Sequence, residues 1–136
     1  MKTFLLSLRI YFITILLCLP ISPVLASEGT SNSLYFAFDK PFVVNLSGSG
    51  SLTYLQVNVQ FKVKKVELKA KLHRQLPAIE HTMVMLLSDQ TVNSIKSVQG
   101  KQALRETALK SLQQVCQKLI GDPAIDDVYF TGFIIQ

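Results

Sequence analysis

The chain has no tryptophan, and only two cysteines and two histidines among its 136 residues. Cys18 lies in the apolar N-terminal stretch and Cys116 stands alone in the remainder, so that remainder cannot close a disulfide within itself. His73 and His81 are eight residues apart, and neither an i, i+4 histidine pair nor an HExxH helix is present. Glu80 precedes His81 directly, and adjacent helical residues do not face one another. Both histidines therefore read as partly exposed surface residues. The run Gly48-Ser-Gly-Ser-Leu-Thr53 lacks the third glycine of a dinucleotide loop, has no following lysine and lies between strands, which argues against a phosphate cradle. There is no G-x-S-x-G elbow. Of the 9 acidic residues only Asp126 and Asp127 adjoin, at a place that suits a turn before a strand better than a metal site. These absences exclude the usual signatures of catalysis. No cofactor, no metal and no small-molecule substrate is expected, and the chain is not expected to be an enzyme. Catalytic triads assemble in space rather than in sequence, so a small hydrolase stays as the third reading.

Charge is also modest. The formal balance is +5, but Lys2 and Arg9 belong to the leader, and from Ser27 onward 12 cations face 9 anions. A net of +3 does not argue for nucleic acid. With 49% hydrophobic residues, the length suits one domain with one core.

What the chain does have begins with the leader. Met1 to Arg9 carries two cations and no acid, Ile10 to Leu19 is almost wholly apolar, and Val24-Leu25-Ala26 follows two prolines. Residues 1–26 thus read as a secretory signal peptide cleaved after Ala26, or as a retained N-terminal membrane anchor. Either reading puts the rest outside the cytoplasm. Leu16-Leu17 before Cys18 does not resemble a lipidation site. Residues 27–33 (SEGTSNS) form a polar linker, and the folded part runs from 34 to 136.

Short β-type runs at Leu34–Phe38 and Phe42–Leu46 are broken by Asp39-Lys-Pro41. From Leu55 to Val63, apolar residues alternate with Gln56, Asn58, Gln60 and Lys62, the mark of a strand with one buried face. The Gly/Ser turn between makes a hairpin. Val66–Arg74 favours a short helix. Pro77 suits the first turn of a second helix, whose stripe is Ile79, Met83 and Leu86. Thr91 caps a short turn carrying Val92 and Ile95. A long amphipathic helix near 99–120 has its stripe at Leu104, Ala108, Leu112, Val115 and Leu119, with Leu109 and Cys116 flanking it. Beside that stripe Cys116 reads as a buried, inert thiol. Val128–Ile135 closes the chain as a strand apolar on both faces, which suits a central place in the sheet or a face given to a partner. The fold class is α+β: a mostly antiparallel sheet with amphipathic helices packed on one face.

Two surfaces stand out as candidate interaction sites. Simple alternation of the last strand puts Val128, Phe130 and Ile134 on one side and Tyr129, Phe133 and Ile135 on the other, so Tyr129 and Phe133 are the aromatic candidates. The second is the basic cluster Lys62, Lys64, Lys65, Lys69, Lys71 and Arg74, from which Lys62, Lys64 and Lys69 are taken as candidates for an acidic partner or anionic headgroups.

Five segments in order resemble the flagellar basal-body protein family FliL. They are Pro41-Phe-Val-Val-Asn-Leu46, Tyr54-Leu-Gln-Val-Asn-Val-Gln-Phe61, Leu76-Pro through Leu86-Leu-Ser88, Gly100-Lys-Gln-Ala-Leu-Arg105 and Val128-Tyr-Phe-Thr-Gly-Phe-Ile-Ile-Gln136. The resemblance runs from about Tyr35 to Gln136. It implies a periplasmic domain similar to the stomatin/SPFH fold, at the inner membrane surface beside the stator units. It also implies ring-like self-association and a non-enzymatic part in stator assembly, torque or rotation during motility and chemotaxis. Family members keep a membrane helix, whereas the prolines and Val24-Leu25-Ala26 here suit its removal. That departure fits a divergent second copy as well as a main one. The alternative is a general periplasmic module that binds membrane surfaces and is unrelated to the motor.

Overall fold

The structure, a computed structural model, describes residues 33–48 and 52–136. The leader, the linker through residue 32 and the tip of the Gly/Ser turn lie outside the described residues. The strands are β1 (Tyr35–Ala37), β2 (Phe42–Asn45), β3 (Tyr54–Val63) and β4 (Ile125–Ile135), and the helices are α1 (Leu68–Arg74), α2 (Leu76–Ser88), α3 (Val92–Ile95) and α4 (Val98–Ile120). All strand pairs are antiparallel, and the helices cover one face, so the fold is the α+β arrangement that the alternation in β3 and the stripe of α4 call for.

β3 is the centre of the sheet. β1 and β2 both pair with its first edge, Tyr35 opposite Lys62 and Phe42 opposite Val57, so they are one strand interrupted at Asp39-Lys40-Pro41. Pro41 has no N–H and fits this break. β4 takes the second edge of β3 and is therefore an edge strand, not the central one its composition suggested. Its two apolar faces have a simpler cause. Thr131 is an extra residue: Gly132 lies opposite Asn58 and Phe130 opposite Val59. Such a bulge reverses the side-chain parity beyond it. Val128, Phe130, Phe133 and Ile135 consequently share the covered face, opposite Phe61, Val59, Val57 and Leu55, while Tyr129 and Ile134 share the open one. Tyr129 and Phe133 therefore lie on opposite faces, which corrects the simple alternation.

The core is the covered face of β3, with Leu55, Val57, Phe61 and Val63 all fully buried, against Leu72, Ile79, Met83, Leu87, Ile95 and the row Leu104–Ala108–Leu112. On α4 the buried row steps by four to Cys116, while Val115 is only half-buried and Leu119 is 44% exposed. Four residues turn the helix past a full circle, so such a row winds round the axis and follows the twisted sheet. The stripe therefore takes in Cys116 and loses Leu119. On α2, Leu87 is buried and Leu86 half-buried, for the same reason. Side-chain caps open α3 and α4, whereas α1 and α2 have none at Glu67 and Gln75. Thr91 Oγ1 accepts from the Ser94 amide while Ser94 Oγ accepts from the Thr91 amide, a reciprocal capping box. Ser97 Oγ accepts from Gly100 N at 2.9 Å, and α4 ends in Gly121 at φ 79°.

Burial pushes the Cys116 thiol up to about 11 from 9.0, with the Asp122 carboxylate adding to the shift. The folded state thus holds its thiol proton more tightly than the unfolded chain. That contribution is present in full below pH 9, and it is lost as pH rises through about 11. Over that window the parent should lose about 2 kcal/mol more stability than Cys116→Ala. Urea titrations of both proteins at pH 8 and pH 11 check this; parallel losses would refute it.

Candidate assembly surface

Among the described residues nothing covers the other face of the sheet. Its rows run Tyr35–Lys62–Asp127, Ala37–Gln60–Tyr129, Val43–Gln56–Ile134 and Asn45–Tyr54. Between the end marked by Lys62 and the far end at Tyr54 the face carries amides and apolar side chains and no charge. Val43 is 59% exposed and Ile134 51% exposed. Tyr35 and Tyr129 meet with ring centroids 6.0 Å apart. Desolvation, then the Asp127 carboxylate, raises the Tyr129 phenol above its ordinary value, so this hydroxyl stays a donor at any physiological pH.

The charged end is tied down. Lys62 Nζ donates to Asp126 Oδ2 at 2.8 Å; this hydrogen bond and the attraction behind it raise the Lys62 ammonium and lower the Asp126 carboxyl. Asp126 is itself the extra residue of a second β4 irregularity, between Lys62 and Val63 on the partner strand. Both groups are well solvated, so the pair orients side chains more than it stabilises the fold. On the free edge of β4, Arg105 from α4 pairs with Asp127, whose Oδ1 also accepts from the Val128 amide. Gln113 Nε2 donates to the Ile125 carbonyl at 2.8 Å. These side chains cover the first half of that edge.

The five sequence candidates therefore fall in different places. Tyr129 and Lys62 share the open face. Phe133 lies on the covered face, with Lys101 Nζ 4.8 Å above its ring. Lys64 is exposed where β3 leaves the sheet, and Lys69 is half-buried on α1, so the basic cluster is spread over a strand end, a turn and a helix. Sequence reasoning missed Val43, Ile134 and the Arg105–Asp127 pair. Strand alternation flags Val43, but only the bulge tells that Ile134 faces outward. His73 is exposed at the rim of a cleft of about 610 Å³ between the β1–β2 edge and α2, floored by Phe36, Phe38 and Phe42. Phe36 stacks on Phe61 at 5.0 Å, so the floor belongs to the core as much as to the cleft. Among the described residues no three His, Cys, Asp or Glu side chains come together, and no helix is long and apolar enough to cross a membrane.

The described domain is small and α+β, with one helix-covered face and one largely uncharged face free of helices. Its sequence assigns it: the flagellar basal body-associated protein family FliL matches residues 35–136, and the chain belongs to that family. A relative from Aquifex aeolicus (strain VF5), described as flagellar protein FliL, is 24% identical over 103 residues, which are 76% of this chain. The aligned stretch spans 62% of that relative's length.

Proposed function

We propose that this chain is a non-enzymatic accessory protein of the flagellar motor, held on the periplasmic side of the inner membrane, where it supports stator assembly and torque. The family match over residues 35–136 carries this reading. The bare sheet face supports it, since an assembly protein needs surface to give away. Copies of the chain join around the stator units, and the open face and the edges beside it supply the contacts. Tyr129 offers a ring and a donor on that face, whereas Phe133 acts from beneath, by bracing the edge strand under Lys101. Lys64, Lys65, Lys71 and Arg74, all exposed, attract anionic headgroups and keep that end of the domain near the membrane. Motility and chemotactic spreading depend on it through torque.

The test is a clean deletion on soft agar, alone and at raised viscosity, in a strain with no second family member. The spreading ring should shrink, most under load, and recover with the full chain. Normal spreading under load would refute the motor role. Membrane binding of the purified protein together with normal motility would favour a general membrane-surface module instead.

A further inference from the structure

The hydrogen bonds of the sheet fix which backbone groups point away from it. Tyr54 and Gln136 exchange both of their bonds, at 2.7 and 3.0 Å. Antiparallel pairs alternate, so the Ile134–Gln56 pair is also a bonded one, and Phe133 and Ile135 turn their N–H and C=O groups to the free edge of β4. At the other edge, Leu46 N donates to Thr53 O at 2.9 Å. The same alternation makes the Val44–Leu55 and Phe42–Val57 pairs bonded and leaves Val43 and Asn45 facing outward. Among the described residues none of these four outward-facing residues has a hydrogen-bond partner for its backbone. Neither segment bears the lysines or inward charges that usually blunt an edge.

The two open edges match. Gln113, Arg105 and Asp127 block β4 beside β1, but its open half lies level with β2. Val43 and Ile134, two exposed branched side chains of the bare face, stand at opposite ends of one row, joined through Gln56. The cleft of about 610 Å³ leaves the β2 edge uncovered on the helix side too.

We propose that copies of this chain join head to tail by strand addition, the open half of β4 in one copy pairing in parallel with β2 of the next, with Ile134 beside Val43. β4 and β2 are both antiparallel to β3, so a rotated copy presents β4 parallel to β2. In a parallel ladder a residue bonds to the neighbours of the one it faces. Val43 N–H then donates to Phe133 C=O of the next copy, and Ile135 N–H of that copy donates to Val43 C=O. Asn45 N–H donates to the same Ile135 carbonyl, and Phe133 N–H to the Pro41 carbonyl. Pro41, which has no N–H, sits where that ladder ends. The outward groups thus have the parity a parallel ladder demands. Head-to-tail contacts of this kind build a ring where the rotation between copies closes and an open filament where it does not. No charged residue lies in either segment to oppose the contact. The inference rests on the reading that this chain self-associates.

The test uses the full chain in its own cells with Val43→Cys and Ile134→Cys. Within one copy these positions are two strands apart, about 10 Å, too far for a disulfide. Mild oxidation should give a ladder of cross-linked species from the double variant, dimers from the two single variants expressed together, and none from either alone. Dimers from Ile134→Cys alone would mean two-fold β4–β4 pairing and overturn the proposal. So would oligomers, seen by light scattering, that do not cross-link between these positions. A chain that stays monomeric at high concentration and in cells would instead remove the self-association reading itself.

Discussion

Phe61→Ala should come close to unfolding the domain. Phe61 is fully buried near the C-terminal end of β3, stacked on Phe36 at 5.0 Å and edge-on to Phe38 at 5.6 Å. It is the ring on which the interrupted β1–β2 strand is fastened to the sheet. Truncation loses the buried ring and leaves a cavity whose walls, a central strand and its helices, cannot collapse into it. Such substitutions cost about 3–5 kcal/mol. A domain of this size is stable by roughly 5–15 kcal/mol, so most of the margin goes. The urea midpoint should fall by about 2 M, given slopes of roughly 1–3 kcal/mol/M. Gln60→Ala, one residue away on the open face, should leave the midpoint almost unchanged. Equal effects at both positions would contradict the assignment of faces.

Gly100→Ala is the second large effect, and its sign runs against helix propensity. Alanine in a helix is worth about 1 kcal/mol more than glycine. At residue 100, however, a Cβ would stand 1.9 Å from the Ser94 carbonyl oxygen and 2.9 Å from its carbon. Those are backbone atoms held by the Thr91–Ser94 capping box, so they cannot step aside cheaply. The first turn of α4 must shift or the α3–α4 junction must open, at a net cost of about 2–3 kcal/mol. The added Cβ would also stand 3.2 Å from Ser97 Oγ, which accepts from the residue 100 amide. Thermal unfolding of Gly100→Ala beside Gln99→Ala checks this. A Gly100→Ala protein as stable as the parent would mean the approach of α3 to α4 is wrong.

The alternation of Leu55 to Val63, the first three members of the α4 row (Leu104, Ala108 and Leu112) and the Thr91 cap were each legible in the sequence, because each rests on the period or the chemistry of one short segment; the continuation of the row to Cys116 rather than Val115 and Leu119 was not. The Gly100 contact was not, although the glycine stood in plain view within a recognised motif; its reason lies in a carbonyl six residues earlier, which only the fold brings near. The misreading of β4 has the same root. Parity along a strand holds only while no residue is extra, and Thr131 carries no mark that sets a bulge apart from a ladder position. Its position reassigned Phe133 to the covered face and Ile134 to the open one. The basic cluster was legible as composition but not as a surface, since Lys62 is bound to Asp126 from a strand far away in sequence.

Single-motor torque tests the central claim most directly. A bead driven by one flagellar stub reports the number of engaged stator units as discrete speed levels. In the deletion strain lacking any second family member, motors at high load should hold fewer units and lower torque. Near zero load they should spin as the parent does, and the full chain should restore the missing levels. Unchanged levels and torque at high load would contradict the account.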